Sequence, residues 1–134
     1  MNNDERYLEI LKLQRETQQK YVYYILAINA AAIGYTIGLD KSPEVECVFI
    51  FHIIALVAWS FSFWFGCNYI LKIILVNQIN LKKLETNDIN KKEKYAEMMH
   101  LEGMKAAKRF NLMLYLLVLG CFMFITWYVL SKFI

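Results

Sequence analysis

The chain alternates between long uncharged apolar runs and shorter segments rich in charge. The runs cover residues 21–38, 47–71 and 110–130. A helix rises about 1.5 Å per residue, so runs of this length can cross a hydrocarbon core of about 30 Å. Inside a bilayer, a helix satisfies its own backbone hydrogen bonds. The pattern therefore predicts a single-domain, all-α integral membrane protein, residues 1–134, with three transmembrane helices.

The second run continues as a helix beyond Leu71. Apolar or amide side chains recur there at spacings of three and four, as on one face of a helix. They are Ile70, Ile73, Ile74, Asn77, Leu81 and Leu84. After a turn near Asn87, a face suited to pack against them comprises Tyr95, Met98, Met99 and Ala106. We expect residues 72–109 to form an antiparallel cytosolic hairpin, and the capping-box spacing of Asn90 and Glu93 predicts where its second helix begins.

The first twenty residues precede the first span and carry mixed charge. Tyr7, Ile10, Leu11 and Gln14 form a stripe that predicts an amphipathic helix over residues 1–20, on the membrane surface or in a cytosolic bundle. The stripe fades into Thr17 and two glutamines, so a partly ordered tail is the alternative. Residues 39–46, which include Pro43, predict a tight turn at the far end of the first span.

Two faces of the first span differ in chemistry. A small-residue face suits close helix packing, either within the chain or between subunits. It comprises Ala27, Ala30, Ala31, Gly34 and Gly38. On the other face, Asn29 and Thr36 lie between Ile25 and Ile33, and this polar strip between apolar neighbours predicts the lining of a pore that closes by dewetting.

The second span offers another close-packing surface in Ala55, Ser62 and Gly66. His52 lies near its outer end. An interfacial, hydrogen-bonded histidine is favoured over a proton relay, because no acidic residue lies in the predicted spans to share its proton. We expect no catalytic role for it.

The distribution of basic residues predicts orientation. Thirteen of the 15 Lys and Arg precede the first span or lie in residues 72–109, and two lie on the other side. The positive-inside rule then places the N-terminus and the hairpin in the cytoplasm and the C-terminus outside.

One basic cluster in the hairpin is a candidate site for an anionic ligand or lipid. It comprises Lys82, Lys83, Lys91, Lys92, Lys94, Lys105, Lys108 and Arg109. Three interpretations stay open: a topology signal alone, attraction to anionic head groups, or a nucleotide or short single-stranded nucleic acid.

Catalytic signatures are not apparent in the sequence. It contains no phosphate-binding glycine loop, no HExxH and no Ser/His/Asp constellation. Cys47, Cys67 and Cys121 lack the spacing of a zinc site or a disulfide framework. We therefore expect neither an enzyme nor a cofactor or metal site. A secondary transporter is disfavoured, because its ion site needs repeats or intramembrane charge.

Three spans in one chain cannot surround a water path, so conduction requires an oligomer. The leading hypothesis is a homo-oligomeric ion channel gated from its cytosolic hairpin. The alternatives are a non-conducting anchor, whose hairpin docks a cytosolic partner through Tyr95, Met98, Met99 and Leu101, and a holin-like lesion former.

In its overall plan, the chain resembles small membrane effectors of bacterial antiphage defence, including those of nucleotide-signalling systems and of the Hailong type. The similarity is one of architecture: short uncharged spans and a Lys-rich helical stretch from Lys82 to Arg109. The resemblance implies a pore in the bacterial inner membrane that depolarises it in response to a nucleotide or oligonucleotide. A cytosolic defence protein is a further implied partner.

Overall fold

Three long helices make up the part of the chain that the computed structural model describes, residues 2–39 and 46–133. They are α1 (Asn3–Gly38), α2 (Glu46–Glu85) and α3 (Ile89–Phe133). No strand occurs within these ranges. The all-α prediction is confirmed, whereas the predicted turn around Pro43 lies outside the described residues.

The ends of the helices follow local capping chemistry. The Asn2 side chain accepts a hydrogen bond from the Asn3 amide, and Glu5 accepts one from the Asn2 amide, which together form a capping box. At α3 the cap is Asp88, whose Oδ1 accepts from the Asn90 amide at 3.0 Å. The predicted Asn90 and Glu93 box was therefore wrong by about half a turn, because Asp88 competes for the same backbone donors.

The first twenty residues and the first span form one helix. Helix α1 runs without interruption through Lys20 and Tyr21, and its first glycine is Gly34. The arm of α1, residues 2–18, has exposed side chains except for the half-buried Leu11. The amphipathic role of its stripe stays a prediction.

Contacts define an up-down-up order. Leu26 of α1 lies against Gly66 of α2, and Asn29 bonds to Ser62, so these two helices are antiparallel. Tyr21 contacts Phe110 and Tyr35 contacts Phe124, so α1 and α3 are parallel. The start of α1 and the α2–α3 link consequently lie at the same end of the bundle.

Close packing centres on the small residues of α2. Ala55 and Ser62 are fully buried. A Cβ added to Gly66 would lie 2.6 Å from Leu26 Cδ2 and 2.9 Å from Met113 Sδ. The predicted close-packing surface of the second span is confirmed, because α1 and α3 both approach α2 along it.

The predicted hairpin stripe on α2 is correct for Ile70 and Ile73, which pack against the core, but wrong for its later positions. Leu81 and Leu84 are exposed, and the buried positions are Val76 and Ile79. Ala106 of the predicted α3 face is buried, whereas Met98 is exposed. Almost every position of α2 up to Val76 is apolar, so several overlapping stripes fit the same periodicity and packing selects among them.

All three helices are long and apolar enough to span a membrane. Their candidate segments contain 36, 39 and 45 residues, and the best windows have mean hydropathies of 1.3, 2.0 and 2.2. At about 1.5 Å per residue each helix exceeds 50 Å, well beyond a hydrocarbon core of about 30 Å. Each therefore has length to spare outside the bilayer.

Candidate functional site between the three helices

A polar contact joins the three helices within their apolar segments, near the middle of that of α1 and close to the start of that of α3. Asn29 Nδ2 of α1 donates to Ser62 Oγ of α2 at 3.0 Å, and Ser62 Oγ donates to the Met113 carbonyl of α3 at 2.7 Å. Asn29, Ser62 and Met113 are each 0% exposed. The hydroxyl of Ser62 reaches a backbone carbonyl because Gly66, one turn away, lets α3 approach closely.

The predicted pore-lining residues lie on the side of α1 that faces its own bundle. Ile25, Asn29 and Thr36 are buried, and Ile33 is half-buried. Thr36 Oγ1 donates to the Ala32 carbonyl of its own helix. The structure thus brings the polar strip against α2 and α3, and water would reach it only after these helices separate.

Three buried polar atoms have no hydrogen-bond partner among the described residues. They are Asn29 Oδ1, His52 Nδ1 and Trp59 Nε1. Leaving a buried polar group unpaired costs about 1–3 kcal/mol. His52, Trp59 and Ser62 lie on one face of α2, so the unpaired atoms follow the interior of the bundle rather than its surface.

His52 lies among aromatic rings. Its centroid is 4.5 Å from that of Trp127 and 5.6 Å from that of Phe49. His52 is 7% exposed, and the hydrogen bond predicted for it is not observed at Nδ1 among the described residues. Its position at the membrane interface stays a prediction. Within the described residues no group of His, Cys, Asp and Glu is arranged to hold a metal ion.

Nearer the α2–α3 link, an ion pair that was not predicted from the sequence joins α2 to α3. Lys72 Nζ lies 2.8 Å from Glu102 Oε2, and Lys105 Nζ lies 3.3 Å from Glu102 Oε1. The hydrogen bond from Lys72 holds the pKa of the Glu102 carboxyl below its ordinary value. Lys72 on α2 and Glu102 on α3 lie equally far along the chain from the α2–α3 link. This equal spacing of opposite charges was the feature of the sequence from which the ion pair could be predicted.

The small-residue face of α1 is open in the single chain. Ala27, Ala30, Ala31, Gly34 and Gly38 are all exposed. A Cβ added to Gly34 or Gly38 would have no heavy atom of another described residue within 4 Å. Of the two uses predicted for this face, packing within the chain is not observed in the described residues.

The predicted anionic-ligand cluster is spread over both hairpin helices. Six of its members are exposed, and Lys83 and Arg109 are half-buried. The Arg109 guanidinium lies 5.4 Å from the centroid of Phe65, and Lys105 contacts Glu102. Near the α2–α3 link, the exposed members of the cluster are Lys82, Lys91, Lys92 and Lys94.

Comparison with known proteins does not assign the chain to a family. No family model, curated protein or solved structure matches it.

Proposed function

We propose that this chain is one subunit of a homo-oligomeric ion channel, and that the bundle described above is its closed state. Its proposed location is the bacterial inner membrane, with the N-terminus and hairpin cytoplasmic and the C-terminus outside. The basic-residue distribution supports this orientation. Membrane depolarisation in antiphage defence stays a prediction from architectural resemblance.

The half-satisfied amide of Asn29 is the observation that carries the proposal. One of its polar atoms bonds to Ser62, and the other has no partner among the described residues. With this oxygen unpaired, the Asn29–Ser62–Met113 contact stabilises the closed bundle less than a fully hydrogen-bonded contact would. Separation of α1 from α2 would transfer Asn29 Oδ1 from an unpaired state to water, which lowers the free energy of opening.

The open face of α1 supports assembly. Small residues allow helix backbones to approach closely, which favours association in a membrane, where the hydrophobic effect between helices is absent. Because this face and the Asn29 face lie on different sides of α1, neighbouring subunits can hold α1 while α2 and α3 move away from it.

The hairpin is the proposed site of gating. Lys72 and Glu102 couple α2 to α3 just outside the uncharged segments. A nucleotide or short single-stranded nucleic acid bound by lysines near the α2–α3 link would change the position of these helices together. The ligand class follows from the exposed positive charge and stays a prediction.

Ion flux through liposomes containing the purified protein tests the channel. Ser62→Ala removes the partner of Asn29, and we expect it to raise the basal flux about tenfold. Asn29→Leu, which replaces the amide by an apolar group of similar size, should lower the flux below wild type. Ser60→Ala is the matched control, because the Ser60 hydroxyl donates to the Leu56 carbonyl of its own helix at an exposed position.

A non-conducting anchor is the second candidate. Leu101 and Met98 are 56% and 41% exposed on the hairpin, where a cytosolic partner could cover them. Absence of flux from the wild type and from Ser62→Ala, with both proteins intact and assembled, would reject the channel in favour of the anchor.

A further inference from the structure

Two apolar faces are exposed outside the packed part of the bundle. The first belongs to the arm of α1, where Tyr7 is 65% exposed. The second belongs to α2, where Leu84 is 73% exposed. The buried residues of α1 are Val22, Ile25, Asn29 and Thr36. The packed part of this helix therefore begins near Tyr21.

Helical geometry shows that these faces are matched. Tyr7 lies eighteen residues before Ile25, which is five full turns, so both point to the bundle side of α1. Leu84 lies eighteen residues after Gly66 and so points in the direction of Gly66, whose neighbours are Leu26 of α1 and Met113 of α3. The antiparallel pairing of Leu26 with Gly66 and Asn29 with Ser62, continued along both helices, puts Tyr7 level with Leu84.

The arm of α1 and the tip of the hairpin also carry opposite net charges. Residues 2–10 carry three acidic side chains and one basic, and residues 81–94 carry five basic and three acidic. Opposite net charges at equal height attract within a Debye length of about 8–10 Å. The complementarity favours contact between the arm and the hairpin tip over contact between two arms.

The arm of the same chain does not fill the α2 face. Helix α1 has neither glycine nor proline between Asn3 and Ile33, so it has no residue that favours a sharp bend back to its own hairpin. For the same reason the arm cannot lie flat on the membrane surface, since it continues straight into the span.

We propose, on the basis of the homo-oligomer inferred above, that the arm of one subunit docks onto the α2 face of its neighbour, with Tyr7 against Leu84. Each subunit then supplies an arm and receives one. The arms link adjacent hairpins into a continuous belt, so a displacement of one hairpin is transmitted to the next.

Cysteine crosslinking between differently tagged chains tests this docking. In a background in which Cys47, Cys67 and Cys121 are replaced by serine, one chain carries Tyr7→Cys and the other Leu84→Cys. After treatment of isolated membranes with a thiol oxidant such as copper phenanthroline, co-expressed chains should form a disulfide that joins the two tags. Glu9→Cys with Leu84→Cys is the matched control and should not crosslink, because Glu9 lies about 200° around the helix from Tyr7.

The outcomes separate this inference from the proposed function. A disulfide found only within a chain carrying both substitutions would overturn docking between copies, as would no disulfide in an assembled oligomer. Quenching of a fluorophore on Tyr7→Cys by headgroup spin-labelled lipid would overturn it in favour of the membrane surface. A monomeric wild-type protein would overturn both proposals.

Assembly provides a second measurement. Leu84→Asp places a carboxylate in the docked face, and we expect the dissociation constant of the oligomer to rise about tenfold or more. Leu101→Asp is the control: Leu101 lies nine residues before Phe110, two and a half turns, on the far side of α3 from α1. Equal effects of the two variants would contradict the proposal.

Discussion

Gly120 and Gly34 have different surroundings. The indole of Trp59 lies directly on Gly120, where an added Cβ would be 2.4 Å from Nε1. We expect Gly120→Ala to lower the free energy of unfolding by about 1–3 kcal/mol, because α2 and α3 must move apart. Denaturant unfolding in detergent micelles measures it.

Gly34→Ala is the control for that prediction. The added methyl group has open space in the single chain, so unfolding of dissociated protein should stay near wild type. A bulkier Gly34→Leu should leave that unfolding unchanged as well but prevent assembly. Equal destabilisation of the dissociated protein by Gly120→Ala and Gly34→Ala would contradict the assignment of the two glycines.

At this scale the sequence predicted which residues are small and polar but not their partners. The amide of Asn29 required a hydrogen-bond partner or water in the membrane, and Ser62 already belonged to a predicted packing face. Their pairing depends on the relative rotation of α1 and α2, which an 18-residue span does not encode locally. Gly120 resembled any other position of an apolar run until Trp59 was placed on it.

At the scale of the helices, Val76 and Leu81 of α2 differ in burial. Val76 is 7% exposed and Leu81 is 59% exposed. Val76→Asp should separate the hairpin, since an unpaired buried carboxylate costs several kcal/mol. Leu81→Asp should leave the hairpin intact. Protease resistance of residues 72–109 compares them, and greater sensitivity in Leu81→Asp would restore the register expected from sequence.

The ion pair between α2 and α3 makes the hairpin sensitive to acid. The pKa of Glu102 is lowered in the fold, chiefly by its hydrogen bond from Lys72. The contribution to stability is therefore complete above the unfolded pKa of about 4.3 and is lost as pH falls through the lower folded value. Hydrogen exchange of the hairpin between pH 6 and 3 should detect this loss.

Glu102→Gln should abolish that part of the acid sensitivity, and Glu97→Gln, an exposed neighbour on α3, should retain it. An unchanged pH profile in Glu102→Gln would assign the effect to other carboxylates. The pair also explains the missed register. Lys72 falls outside the apolar stripe expected from the sequence, yet at 31% side-chain exposure it is half-buried against Glu102.

For the whole molecule, the predicted topology follows from three spans and an uneven distribution of basic residues. A reporter fused after Ile134 should be active only outside the cytoplasm, and one inserted at Asn87 only inside it. Cytoplasmic activity at both positions would reject three crossings. The helices could be predicted because length and hydropathy are local properties, whereas the order of contacts between them is not.

The unbroken extension of α2 beyond Lys72 has an electrostatic consequence. Lys82 lies ten residues further along the same helix, which at about 1.5 Å per residue is roughly 15 Å. The electrostatic attraction between a lysine and anionic head groups is screened beyond about 8 Å at physiological ionic strength. In an upright hairpin Lys82 lies about one Debye length beyond the head groups, so its attraction to the lipid surface is weakened by screening. We predict that binding of a short single-stranded nucleic acid weakens with added salt whether or not the surrounding lipid is charged, and absence of binding would leave the lysines as a topology signal.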